Sequence, residues 1–576
     1  MKFNYSFYIS RFCAFGICCF FLLSSACVST PDINSLEPGE YTDQIIRGKI
    51  QPGQPGVAVL VSRGDRVLFS KGYGLADIAR KTPIATDSKF RIGSISKQFT
   101  AAAILKLQEA DKLKVMDRLS KYIPDYPGGD EVTLHHLLTH TSGIENYTDK
   151  IDFRGRVSQA TTTEDLIELF KYDEFNFKPG DSFSYSNSGY FLLGYIIEKV
   201  SGKSYLQYLQ ETFFTPLGMN DSGVYRADSS LDNEALGYSY IDGVTRIALN
   251  WDMSHAGAAG ALYSTVEDLH RWNKAVFNDQ VLDQESLAAA LTGAKITISS
   301  ELTDYGYGWA LGEQGGLKLI HHSGGLDGFS SYLARFPEKD LTIAVLHNAS
   351  PGFVGVSPFG IAQEIARAYL RQEMMADGDS SKTTREVDDS VNPESYQSFA
   401  GDYDYGPLAI LEVKASNNRL FAQLTGQREF RIYPESPNKY FWKIVDAQIE
   451  FLKDSNGKVV AARHTQNGRS FLAPKLEKIA TVEVPKQILD QYVGVYGFDN
   501  IGKFTVTRKR DVLVVQVPPE FRIPKNKLEI FGKSRTLFFS PFFRKIKIEF
   551  VSNGEEKVEQ AIIHQGSSRF EGVRIE

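Results

Sequence analysis

Two serines and a lysine crowd the stretch FRIGSISKQFT, residues 90–100. Ser94 and Lys97 are three residues apart, so on a helix they share a face. Ser96 and Lys97 are adjacent and would point about 100° apart. A serine hydroxyl is a weak nucleophile until a neighbour takes its proton. A lysine can take it only when burial or a nearby cation brings its pKa below the usual value of about 10.4. If a serine is paired with that lysine as nucleophile and base, it is therefore Ser94, at a helix start whose oriented N–H groups suit an oxyanion. The same residues also fit a plainer role, with Ser94 a helix cap and Lys97 a surface side chain.

The elements around them are legible in outline. PGVAVLVSRGDRVLFSKGYG (55–74) reads as a hairpin, two Val/Leu-rich runs around a charged turn. SISKQFTAAAILKLQEADKL reads as a helix starting near Gly93 and Ser94, Ala-rich and free of Gly and Pro. From about 130 to 275 short helices alternate with Gly/Ser/Asn turns. Within that span Tyr185-Ser186-Asn187 occupy a polar turn before an apolar helix. His322-Ser323-Gly324 lie at the edge of a strand, SSYLARFPEKDLTIAVLHN (330–348) forms a second hairpin, and GIAQEIARAYLRQEMM (360–375) a helix.

Ser-x-x-Lys, then Tyr-x-Asn, then a basic residue-x-Gly, in that order, resembles the penicillin-recognising serine hydrolases. Within them the chain is most similar to the class C β-lactamase-type branch, which also holds D-alanyl-D-alanine carboxypeptidases, D-aminopeptidases and esterases. LHHLLTHTSGI (134–144), TPLGMNDS (215–222), AGALYSTVEDLHRW (259–272) and YGYGWAL (305–311) strengthen the resemblance, which spans roughly residues 45–372. It implies an α/β fold, an antiparallel sheet flanked by helices with a helical subdomain and the site between them. It implies catalytic roles for Ser94 as nucleophile, Lys97 as its base, Tyr185 as proton shuttle, and His322. Asn187 would bond Lys97 or a substrate amide. Ser323, Gly324 and Gly325 would line the substrate, with the N–H groups of Ser94 and Gly325 as oxyanion donors. No cofactor and no metal are implied.

The third motif departs from the family's common Lys-Thr-Gly. A lysine there is cationic and grips a substrate carboxylate, whereas a histidine is mostly neutral at pH 7. His-x-Gly is found in relatives resembling D-aminopeptidases and in several peptidases or esterases. The expected activity is thus hydrolysis, through a serine acyl-enzyme, of peptide amides that could contain D-amino acids, or of esters. The alternatives are a β-lactamase or D-alanyl-D-alanine carboxypeptidase and, from another class, a non-catalytic sensor of penicillins or cell-wall peptides. The small-molecule partner is a peptide, an ester or a β-lactam-like compound; the oligomeric state is not legible.

The polar stretch 376–394 reads as a linker between a hydrolase domain at 40–375 and a tail of short strands. That tail repeats: FAGDY (399–403) matches YVGVY (492–496), IEFLKDSNGKV (449–459) matches IEFVSNGEEKV (548–558), and HTQNG (464–468) resembles HQG (564–566). Two copies of one all-β domain, at 395–478 and 486–576, are expected. Closing each into a small barrel would cover its sheet edges. The resemblance extends here to the lipocalin-like tails of related peptidases.

A chain of 576 residues with 42% hydrophobic residues can bury several cores, and a net charge of -6 gives no footprint for nucleic acid. Residues 1–26 read as an export signal, with Lys2 and Arg11, the apolar run 12–23 and small residues before Cys27. LSSAC resembles a lipoprotein cleavage site, so Cys27 is a candidate for lipidation and membrane attachment, in a bacterial periplasm or envelope. All four cysteines, Cys13, Cys18, Cys19 and Cys27, fall in this region, which excludes a disulfide framework in the rest. His136 and His140 have a metal-ligand spacing but lack the glutamate of His-Glu-x-x-His. SHAGAAGAL (254–262) lacks a phosphate-loop pattern. His321 reads as a strand neighbour of His322 facing the other way. Tyr403 and Tyr496 read as core aromatics, and His464 and His564 as structural.

Overall fold

The computed structural model describes residues 36–226, 230–241, 243–297, 302–353, 355–376, 385–405, 409–425, 427–466, 469–499, 501–518, 527–540, 543–552 and 558–576. Residues 1–26, expected to be an export signal, Cys27, and residues 377–384 of the expected linker lie outside these.

Six antiparallel strands form the sheet of the first part: β1 (Val57–Arg63), β2 (Arg66–Tyr73), β3 (Ala310–Gln314), β4 (Leu317–Leu326), β5 (Phe329–Phe336) and β6 (Leu341–His347), in the order β3-β4-β5-β6-β1-β2. Both expected hairpins are present, and β6 pairs with β1 across the chain. Successive side chains of a strand face opposite ways. Val57, Val59 and Val61 accordingly pack in one core with Ile46 of α1 (Pro38–Lys49) and Ile361 and Ile365 of α6 (Pro358–Tyr369). Ala58 and Leu60 join the other core, with Phe99 and Ile104 of α2 (Ser96–Glu109) and Trp272 of α5 (Val266–Phe277). Between β2 and β3 lies the helical part, which includes α3 (Leu134–Leu138) and α4 (Asn187–Ser201).

The central helix α2 is buried nearly all round, 11 of its 14 residues, and its Ala101-Ala102-Ala103 run lets neighbours approach closely. It is entered through a 3-10 turn, Gly93–Ile95, and no side chain caps either start. Ser94 is therefore not the helix cap that its position suggested.

Eight strands between Gly401 and Pro474, and eight between Gly494 and Arg574, wind into two closed antiparallel barrels. The first closes where Tyr403 bridges to Lys475, the second where Gly494–Phe498 pairs with Ser568–Arg574. The repeat survives at the level of single contacts. Tyr403 donates its hydroxyl to Phe399 O at 2.7 Å, and Tyr496 donates to Tyr492 O at 2.9 Å. Phe399 stacks on Phe451 at 4.6 Å, and Tyr492 on Phe550 at 4.5 Å. The matching hairpins even shift register at the same place, Leu452/Lys453 in one and Val551/Ser552 in the other. Among the described residues no helix is long and apolar enough to cross a membrane.

Candidate active site

Lys97 is fully buried, and its side chain ends among three oxygens: Nζ lies 3.0 Å from Ser94 Oγ, 2.8 Å from Asn187 Oδ1 and 2.8 Å from Ala259 O. Burial holds its pKa well below 10.5, despite the faces of Tyr185 and Tyr190, which lie 4.8 and 5.4 Å from Nζ. The two carbonyl oxygens can only accept. A neutral Lys97 has two N–H bonds for them, which leaves its lone pair for the Ser94 hydroxyl. Ser96, the second serine, is occupied elsewhere: its Oγ donates to Gly93 O at 2.7 Å and accepts from Leu262 N at 3.1 Å.

Tyr185 is hydrogen-bonded to Ser94, and burial raises its pKa above that of a free phenol. It nevertheless keeps 36% of its surface exposed, so the ring borders solvent. His140 places it. His140 follows α3 with φ at 58°, an uncommon left-handed conformation for a non-glycine residue. That turn lets His140 O accept from Ser184 N at 2.9 Å and its Nδ1 accept from Ser186 N at 3.1 Å, while its ring lies 4.1 Å from that of Tyr185. The same turn ends the helix before His140, so His136 and His140 do not share a helical face. His136 Nδ1 instead accepts from Thr133 N.

Asn187 opens α4 and is held on three sides. Its N–H donates to Asn146 Oδ1 at 3.0 Å, its Nδ2 donates to Thr148 Oγ1 at 3.1 Å, and its Oδ1 accepts from Lys97. With Nδ2 on Thr148 Oγ1, Oδ1 is the amide atom that meets Lys97, and it takes one of the lysine's N–H bonds.

β4 forms the opposite wall. Its pairing with β3 ends at His321, so residues 322–326 are bonded on the β5 side alone. β4 and β5 turn back through Asp327–Gly328, which makes Leu326–Phe329 the last hydrogen-bonded pair. Alternation then leaves the backbone groups of Gly325 and Ser323 pointing away from β5. Gly93 borders that edge: a Cβ there would stand 2.8 Å from Gly325 N. Gly324 lies tighter still, since a Cβ on it would come within 1.9 Å of Ile92 O. Ser94 N–H is in the first turn, where no helical carbonyl can satisfy it. Two backbone donors, on Ser94 and Gly325, are thus brought to one edge. Ser323 and Gly325 are exposed there.

His322 is buried, at 4% exposure. Its Nδ1 lies 2.6 Å from Ser323 O, which can only accept, so Nδ1 carries the proton. Nε2 then accepts from the Tyr305 hydroxyl at 2.8 Å. Burial first, and second Lys97 whenever it is protonated, push its pKa down to about 3. Both nitrogens of a neutral ring are committed to the protein. His321 pairs with Ala310 and Ala334 on the other face of the strand, next to Tyr332.

All eight residues expected at the site converge except in one respect: His322 supports the wall from behind through Tyr305 and does not present a cation. Sequence reading missed Tyr305, His140 and the Ala259 carbonyl. The first two lie in YGYGWAL and LHHLLTHTSGI, where the signal was present as a motif without a role. A backbone carbonyl leaves no residue-type signal.

The family model described as Beta-lactamase matches residues 42–363, more than half of the chain. Penicillin-binding protein 4* of Bacillus subtilis (strain 168) is 28% identical over 413 residues, 68% of this chain and 89% of that protein. The octameric penicillin-binding protein homologue from Pyrococcus abyssi superposes with a TM-score of 0.50 at 28% identity, covering 73% of this chain and 96% of that one. The D-amino acid amidase from Ochrobactrum anthropi SV3, in complex with L-phenylalanine amide, superposes with a TM-score of 0.50 at 25% identity, covering 59% of this chain and 99% of that one.

Proposed function

Because the chain belongs to the beta-lactamase family of serine hydrolases, we propose that it forms an acyl-enzyme on Ser94 with amides or esters carrying no free carboxylate beside the scissile bond. Amino-acid amides, D-configured among them, are the favoured class. In the first half-reaction Ser94 Oγ attacks the carbonyl carbon and its proton passes to neutral Lys97, directly or through Tyr185. The carbonyl oxygen becomes an oxyanion held by the N–H groups of Ser94 and Gly325. As the tetrahedral adduct collapses, the C–N or C–O bond breaks and the leaving group takes the proton back through Tyr185. In the second half, water attacks the ester, gives a proton to the same Tyr185–Lys97 pair, and Ser94 leaves reprotonated. Asn187 keeps Lys97 aimed throughout.

The observation that carries the substrate reading is His322. A neutral ring with both nitrogens engaged offers a carboxylate no partner at the place where the common motif puts a lysine. Two cations that follow the loop holding Asn187 are already engaged, Lys150 with Asp173 and Arg154 with Asp327. The likeness to an amidase agrees with this reading. A panel of phenylalanine amides of both configurations, short-chain esters and a chromogenic cephalosporin tests the reaction. Ser94→Ala is expected to remove turnover of every compound that the wild type hydrolyses; undiminished turnover would contradict the assignment of Ser94.

We also propose that the protein is exported and lipidated at Cys27, and that both barrels are of the lipocalin-like kind. The first rests on the apolar run and LSSAC, the second on eight-stranded closure.

A further inference from the structure

The second barrel is docked on the loop that holds Asn187. Ile151 packs into the apolar end of its interior, against Phe504, Val515, Ile530 and Ile563. Gln565, at the end of the strand Val558–Gln565, clamps the backbone beside it: Oε1 accepts from Ile151 N at 2.7 Å and Nε2 donates to Asp149 O at 2.8 Å. The following turn grips Asp173, whose Oδ1 accepts from Ser567 N and from Ser567 Oγ, both at 2.8 Å. Asp173 in turn ion-pairs at 2.6 Å with Lys150, both side chains being sealed from solvent. Gly566 allows this approach, since a Cβ on it would fall 2.3 Å from Asp173 Oδ1.

The other end of the same loop reaches the catalytic lysine. Asn146 and Thr148 hold Asn187, Tyr147 N donates to Ser188 Oγ, and Asn187 Oδ1 meets Lys97. Thr148, which holds Asn187, is joined directly to Asp149, whose carbonyl Gln565 holds, so the loop has little slack between barrel and site. A buried ion pair and a two-point amide clamp cost conformational freedom and fix register more than they add stability.

We propose that the second barrel is a positioning part of the active site, and that Gln565 and Ile151 are positioning residues acting through loop 145–152 on Asn187. The inference rests on the acyl-enzyme reading above. It is tested in the full chain with Gln565→Ala, Ile151→Ala and the conservative Ile151→Val, assayed on a substrate that the wild type hydrolyses. Val506→Ala, in the same barrel core but not among the residues that receive Ile151, controls for weakening of the barrel. Thermal unfolding shows that each variant is folded. A displaced catalytic contact costs about ten- to a hundredfold in rate. The expected result is that fall in kcat for Gln565→Ala and Ile151→Ala, with KM nearly unchanged, recovery in Ile151→Val, and wild-type kcat in Val506→Ala. Wild-type kcat in folded Gln565→Ala and Ile151→Ala would overturn the proposal while leaving the Ser94 chemistry intact. An equal fall in Val506→Ala would also overturn it, by making the loss one of general stability. An inactive wild type would instead strike the acyl-enzyme reading itself.

Discussion

At the scale of single residues, the site is a competition over one proton and three oxygens. Burial lowers the pKa of Lys97 despite the oxygens around it, and in the neutral amine the two carbonyl acceptors dictate that its lone pair points at Ser94. Activity needs the unprotonated amine, whose fraction grows with pH. kcat/KM is therefore expected to rise with pH through a pKa below 10.5. His322 gives no inflection near 6.5, because its pKa is pushed down to about 3 and it stays neutral on both sides of that value. A pH–rate profile with a limb near 6.5 that vanishes in His322→Asn would contradict this. Spacing alone selected Ser94 over Ser96 as the partner of Lys97, and the order of the motifs, with Tyr185, Asn187 and His322, gave that pair its catalytic reading. What sequence could not reveal was the state of His322. Its tautomer depends on the Ser323 carbonyl that Nδ1 meets, with Tyr305 brought to Nε2 by the fold, and its low pKa depends on burial first and on Lys97 second.

At the scale of elements, function depends on how closely the edge of β4 can approach the turn that carries Ser94. Gly324 and Gly325 differ sharply here. A Cβ at Gly324 would strike Ile92 O at 1.9 Å and Ser331 Oγ at 2.2 Å, whereas at Gly325 the nearest atom is Pro351 Cγ at 3.1 Å. Gly324→Ala must push the strand from the turn. It is expected to cost about 1–3 kcal/mol in stability and about a hundredfold in kcat/KM. Gly325→Ala is expected to be milder in both, as measured by thermal unfolding and steady-state kinetics. The hairpins and α2 were readable because alternation and an unbroken Ala-rich run are strong local signals. The end of α3 was not. His136 and His140 have helical spacing, yet the chain leaves the helix before His140 so that His140 can bind residues 184–186 and place Tyr185. Local pattern yields there to a contact with a distant segment.

At the scale of the molecule, two barrels follow one hydrolase fold, and their kinship was visible because the repeated residues do the same local work. Tyr403 and Tyr496 each tie back to the carbonyl four residues earlier, and two bulges fall at matching places. The docking of the second barrel was not visible. Gln565 and Ile151 are 414 residues apart, and a contact between surfaces of two separate folds leaves no periodic trace in either. The architecture links the far end of the chain to Asn187, so the kinetic effect of Gln565→Ala is the whole-molecule counterpart of the residue-level chemistry.

The central claim is that a Ser94 acyl-enzyme site with a neutral His322 wall selects against a substrate carboxylate. The most direct measurement compares kcat/KM for cleavage of the peptide bond that D-alanyl-D-alanine and its C-terminal carboxamide share, with hydrolysis of the terminal amide, itself a scissile bond, counted separately. Leaving a buried charge unpaired costs at least about 1–3 kcal/mol, or roughly ten- to a hundredfold. The account predicts that the carboxamide is preferred by that factor; a preference for the free carboxylate would contradict it.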